Sequence, residues 1–248
     1  MLRQQHIAAQ YLSAFANNYL PGKDDDSHTN LSWNPITAQL TTRETEDGVY
    51  MCLDYNTFSL FWRKKNRLIS KLDLHGSKHK DVMRWFKIIT LDNNLPELKY
   101  EFKYELPYEP ITDEFRFELI SQEDLNKNIN ILNSAQQVFE QFLTENNLSS
   151  EIRVWPHHFD MGIYTKVSGD LHLGIGLAIP DDMVDGFYYY VFGWKNGEQV
   201  NTSDKDMLEN GRWISSKWNG AVLEYHPKQE INEVKKFLIT AKNAYLNN

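Results

Sequence analysis

The apolar positions change period several times along the chain, and each change marks a change of element. Leu12, Phe15, Ala16 and Tyr19 fall at i, i+3, i+4 and i+7, one face of a helix that Pro21 and Gly22 bring to an end. Val82, Trp85, Phe86 and Ile89 repeat the spacing in a second helix. Ser121 to Asp124 has the form of a capping box, a hydroxyl followed three residues later by a carboxylate. It opens a long helix whose apolar line is Leu125, Ile129, Leu132, Ala135, Phe139 and Phe142. Ile231, Val234, Leu238, Ala241 and Tyr245 predict a fourth helix, with Pro227 just upstream of its start.

Between the helices the period falls to two. Residues 37–43, 49–55, 57–63 and 67–74 read as successive antiparallel strands, with turns at 46–48 and 64–66. Further on, 152–164, 171–179, 187–194 and 212–225 read as strands, the last with a break expected at Asn219-Gly220, itself a hairpin signal. The fold class this predicts is α+β: two helix-flanked antiparallel sheets, or two halves of one sheet. Each sheet begins near a tryptophan and a proline, Trp33 with Pro35 and Trp155 with Pro156. A distant internal duplication is one reading of that parallel, although matching elements do not keep a constant offset. Residues 93–120 carry Pro96, Pro107 and Pro110 in a polar, tyrosine-rich run. They read as an extended connector between an N-terminal α+β half, 1–92, and a C-terminal half, 121–248, unless the two pack as one domain.

Composition narrows the class. In 248 residues, 41% are hydrophobic and 13% aromatic, enough for a substantial core and too many for a disordered chain. No window approaches the roughly 18 to 20 apolar residues of a membrane span, so no membrane association is expected. The first twenty residues are interrupted by Gln, Asn and His and do not read as an export signal. The single cysteine, Cys52, cannot form an internal disulfide and sits in an apolar strand, where it reads as a buried thiol. These features lead us to expect a soluble cytoplasmic protein.

The net charge of −8 repels phosphate backbones at long range and argues against general nucleic-acid binding. One segment departs from it: Arg63 to Lys87 holds nine basic and two acidic residues, a local excess of seven positive charges. An exposed hairpin tip followed by a solvated helix face accounts for that excess, and an acidic or phosphate-bearing partner is the alternative.

Candidate chemistry concentrates in RVWPHHFDMGIY, residues 153–164. Read as a strand, it places His157, Phe159, Met161 and Ile163 on one face and His158, Asp160, Gly162 and Tyr164 on the other. The next strand divides in the same way, with Leu171, Leu173, Ile175, Leu177 and Ile179 apolar and His172, Gly174, Gly176 and Ala178 opposite. A hairpin in register brings the apolar sets together and leaves His158 and Asp160 beside three residues with little or no side chain.

Two functions follow from that face. If it is open, it floors a pocket for a small-molecule ligand, with His158 as acid/base, Asp160 orienting it, and Trp155, His157 and Tyr188 contributing to the walls. If it is covered, the histidines and Asp160 are structural and the protein is a non-catalytic interaction or scaffold protein. A metal site is not expected, because hairpin geometry pairs His172 near residues 164–166, roughly 13 to 20 Å along the strand from Asp160. HExxH, GxSxG and the phosphate loop GxxxxGK[ST] are absent, so no reaction or cofactor is indicated. Residues 187–194 alternate two aromatic faces, which predicts a strand covered on both sides, and flat-ring or carbohydrate ligands also stack on such surfaces.

The order of features in residues 30–230 resembles a family of uncharacterised bacterial proteins. The resemblance rests on a strand-rich first half with Trp33 and Pro35 near its start, a proline-containing connector leading into a long helix, and then an aromatic, a polar break and Phe-Asp, here Trp155, Phe159 and Asp160. It implies a fold and carries no mechanism.

Overall fold

The computed structural model describes residues 2–119 and 121–247. The chain divides into two compact units, Met1–Asn130 with Val154–His158, and Ile131–Arg153 with Phe159–Asn248. The proline-rich run 93–120 therefore belongs to the first unit, and the division passes through the long helix and through the HHFD run.

In the first unit, helix α1 (Leu2–Tyr19) precedes a five-stranded antiparallel sheet whose strands follow in chain order: β1 (Ser32–Asn34), β2 (Gln39–Thr41), β3 (Val49–Asp54), β4 (Ser59–Lys64) and β5 (Arg67–Asp73). Gln5 to Ala16 of α1 are all buried, so this helix is covered on every side along three turns and its apolar stripe is only part of its packed surface. Phe15 meets Trp62 of β4 edge to face, with ring centroids 5.1 Å apart. Burial of one such ring contributes about 1.5–3 kcal/mol. A two-residue turn joins β4 to β5, with Lys65 (φ 46°) and Asn66 (φ 67°) both left-handed, the hairpin geometry that matches strand twist. Helix α2 (His79–Asp92) follows. The basic segment here is solvated: Lys64, Lys65 and Arg67 at the hairpin tip and Lys80, Arg84 and Lys87 on α2 are all exposed.

Helix α3 (Gln122–Glu145) begins where the capping pattern places it. The Ser121 hydroxyl accepts hydrogen bonds from the backbone N–H groups of Glu123 (3.1 Å) and Asp124 (3.3 Å), satisfying two otherwise free donors of the first turn.

The later strands are β6 (Arg153–Trp155), β7 (Asp160–Ser168), β8 (Leu171–Ala178), β9 (Tyr188–Lys195), β10 (Glu198–Gln199), β11 (Arg212–Ser215) and β12 (Asn219–Glu224), followed by helix α4 (Ile231–Leu246). They form a seven-stranded sheet in the order β11-β12-β9-β8-β7-β6, with β10 attached to β9. The β7–β8 hairpin has the expected register: Gly162 pairs Gly176, Ile163 pairs Ile175 and His172 pairs Lys166. Met161, Ile163, Ile175 and Leu177 thus share one buried face. Phe139 of α3 meets Tyr189 of β9 with centroids 6.2 Å apart.

Two expectations require correction. The run 152–164 is not one strand: β6 stops at Trp155, Pro156 to Phe159 make a turn, and β7 starts at Asp160. Pro156 has no N–H to give to a ladder, and Phe159 is left-handed at φ 58°, which a strand cannot contain. His157 and His158 are accordingly turn residues. Asn219-Gly220 is not the turn between β11 and β12 either; the pair opens β12, and the chain reverses just before it. Gly220 serves packing instead, since a Cβ there would lie 2.2 Å from the Trp218 ring. The short strands β1 and β10 had no periodic signal. Among the described residues no helix is long and apolar enough to cross a membrane.

Candidate functional site

The glycine face of β8 is occupied by the protein's own aromatic rings. A Cβ on Gly174 would stand 2.1 Å from the Phe192 ring, and one on Gly176 would stand 2.5 Å from the Tyr190 ring. Both rings come from the neighbouring strand, in which Phe192 pairs Gly174 and Tyr190 pairs Gly176. Trp218 stands nearly perpendicular to the Tyr190 ring, at 88°, with centroids 6.3 Å apart. The small residues of β8 therefore make space for β9 side chains, and the cover is neither a helix nor a vacancy.

Asp160, at the start of β7, accepts a short hydrogen bond from the Tyr190 hydroxyl. Burial, with the Asp160 charge adding to it, raises the Tyr190 pKa well above that of an ordinary phenol, so the hydroxyl remains a donor. Tyr188 is buried, and its hydroxyl donates to Asp181 Oδ2 at 2.6 Å. The other oxygen of Asp181 accepts from the N–H groups of Met183 (2.8 Å) and Val184 (3.2 Å). This arrangement folds the loop after β8 and is not a pocket wall. His158 is exposed and lies against the ring of His157, centroids 4.2 Å apart. Trp155 is half-buried on β6.

The HHFD turn is held from α1. His6, fully buried, and Gln10 both bond the Pro156 carbonyl, at 2.9 Å from His6 Nε2 and 2.7 Å from Gln10 Nε2. A carbonyl only accepts, so His6 carries its proton on Nε2. Nδ1 then accepts from the Tyr108 hydroxyl at 3.2 Å. Burial brings the His6 pKa down to about 4, against a smaller upward pull from the backbone around Pro156 and His157, and keeps the ring neutral near pH 7.

One of the sequence-derived candidates does line a cleft. His157 stacks on Tyr104, centroids 4.3 Å apart and rings 19° from parallel. It contributes to a cleft of about 30 Å³ with Gln10, Ser13 and Asn17 of α1, Asp26, Thr29, Phe102, Lys103 and Tyr104. That volume admits about two water molecules or a headgroup of similar size. Asp26, left-handed at φ 55°, receives on Oδ2 both the Lys103 ammonium (2.6 Å) and the Tyr104 hydroxyl (2.7 Å), and these bonds hold its pKa below the usual carboxylate value.

Two polar side chains at the cleft make no hydrogen bond among the described residues. Ser13 is 6% exposed, and its hydroxyl makes no hydrogen bond with a described residue. The His157 imidazole likewise has ring contacts but no hydrogen bond among the described residues. Desolvation, then the neighbouring His158, lowers its pKa to about 4 against the opposing pull of Asp26.

His6, Gln10, Ser13, Asp26, Lys103 and Tyr104 were not singled out by sequence reasoning. A signal for the first two was present: two polar residues one turn apart among Ile7, Ala8, Ala9, Tyr11 and Leu12 are polar groups forced into a buried helix. Asp26 and Tyr104, in contrast, meet only through the path of irregular segments, which leaves no periodic trace. Comparison with protein-family models, with curated proteins and with solved structures returns no match.

Proposed function

We propose that this protein is a non-catalytic binding protein that takes a small polar group in the cleft at Ser13, Asp26 and His157, while His158 and Asp160 serve the fold. The observation that carries this reading is one cleft that gathers the Asp26 carboxylate with the Ser13 hydroxyl and the half-buried His157 imidazole, the last two without a side-chain hydrogen bond among the described residues. Polar groups at a cleft that make no hydrogen bond within the protein are available to water or to a ligand that takes the water's place. The filled face of β8 supports the structural role of Asp160, whose carboxylate is engaged by Tyr190.

A thermal-shift panel of small polar metabolites on the wild type and on Ser13→Val tests the proposal. We expect at least one compound to raise the wild-type melting temperature and to lose its effect in Ser13→Val. A panel that shifts neither protein, or a shift that survives in Ser13→Val and disappears in His158→Ala, rejects the cleft.

A further inference from the structure

The Asp26 end of the cleft already holds an ammonium group from the protein's own chain. Lys103 Nζ lies 2.6 Å from Asp26 Oδ2 and 5.5 Å from the centroid of the Tyr104 ring. A carboxylate with an aromatic face beside it is the pairing that recognises an alkylammonium ion, by charge and by the ring quadrupole. The two partners are unequally fixed: the Lys103 side chain is 64% exposed, whereas that of Asp26 is 23% exposed. Asp26 is further anchored by the Tyr104 hydroxyl, and the Tyr104 ring by its stack on His157. The acceptor half of the pair is built in, and the cation is on a long, solvated stem.

The rest of the lining agrees in polarity. Apart from Lys103 the cleft contains no formal positive charge, since His157 is neutral near pH 7. Ser13 offers a free hydroxyl oxygen, Phe102 and Tyr104 offer rings, and Asn17 offers an amide oxygen that also bonds His28 at 3.2 Å. A net charge of −8 favours the approach of a cation over that of an anion. An anionic ligand would have to sit beside Asp26 and compete with it for Lys103.

We propose that the cleft is a binding site for a small organic ammonium ion, and that Lys103 occupies its charge-recognition position as a built-in competitor until the ligand displaces it. The inference rests on the small-molecule reading above and adds the ligand class and a device that sets the affinity. Because an exposed ion pair contributes little, displacing Lys103 costs little beyond the new contacts. The side chain that leaves also adds its own volume to the cleft.

The test is calorimetric titration of the wild type, Lys103→Met, Asp26→Asn and the double variant with ethylammonium and with putrescine, with sodium acetate and sodium phosphate as controls at constant ionic strength. Asparagine tolerates the left-handed backbone at position 26, so the variant keeps the turn. We expect Lys103→Met to bind the amines about two- to fivefold more tightly than the wild type, and the double variant to lose that binding. In a long-range ¹H–¹⁵N spectrum the His157 ring signals should move on titration of Lys103→Met. Equal amine affinity in wild type and Lys103→Met overturns the competitor, and binding of acetate or phosphate in place of the amines overturns the ligand class. Should a different panel compound shift the wild type and fail on Ser13→Val while no amine binds, the ammonium proposal falls and the cleft stands. If nothing binds, both fall.

Discussion

His6 Nε2 lies 2.9 Å from the Pro156 carbonyl oxygen across 150 residues of sequence, and through that bond a buried neutral imidazole on the first helix holds the turn that carries His157 and His158. The bond requires the neutral ring in one tautomer only in part: a protonated ring would still donate to Pro156, but it would face the Tyr108 hydroxyl with a second N–H and would be a charge without solvent.

Stability should therefore depend on pH through His6. Its pKa in the folded protein is about 4, below the ordinary histidine value of 6.5, so the unfolded chain binds more protons between those limits. The contribution is complete above about pH 6.5 and is lost as pH falls toward 4, at about 1.4 kcal/mol per pH unit. In urea denaturation between pH 4 and 7.5, His6→Gln, which keeps an N–H donor without a titrating group, should show a shallower acid slope than the wild type. Equal slopes would show that His6 is not the source.

Gly174→Ala should destabilise the protein by about 1–3 kcal/mol, because its Cβ would enter the Phe192 ring and force it off the sheet. In a Phe192→Ala background the same change should be close to neutral. Denaturant midpoints of the four proteins give the coupling, and additivity would contradict the contact.

Tyr190→Phe should cost about 1.5–3 kcal/mol, the range for a buried hydrogen bond to a charged group, since it removes a donor from the Asp160 carboxylate. Asp160→Asn retains an acceptor and should cost less. A cycle between the two positions should show a coupling above 1 kcal/mol, with far-ultraviolet circular dichroism unchanged.

Cys52 should be inert to thiol reagents in the native state. It is fully buried in β3, and burial pushes its thiol up to about 12, far from the thiolate that reacts. Ellman's reagent should label it only at the rate of unfolding, and rapid labelling in buffer would show that β3 opens locally.

The helices and most strands were legible because their signals are local. Ser121 caps α3 as the pattern of a hydroxyl and a carboxylate three residues apart indicates, and the spacing of Ile231 to Tyr245 delimits α4. Where tertiary packing uses a residue for another purpose, local reading fails. Asn219-Gly220 carries a turn signal, but the glycine is needed beneath Trp218. The HHFD run alternates like a strand, but Phe159 takes a left-handed conformation. The glycines of β8 were legible as missing volume, while what fills them was not, because the Phe192 and Tyr190 rings reach sideways from another strand. Of the site residues named from sequence, His157 lies at the cleft; the groups around it come from α1 and from segments without periodicity.

The interlock of β8 with β9 limits how the two strands can diverge. A methyl group gained at position 174 or 176 needs a smaller ring at 192 or 190, and neither change is accommodated alone. Sequence drift across this part of the sheet must therefore proceed by compensated exchanges of bulk between adjacent strands, so related chains should show small and large residues trading places at these four positions.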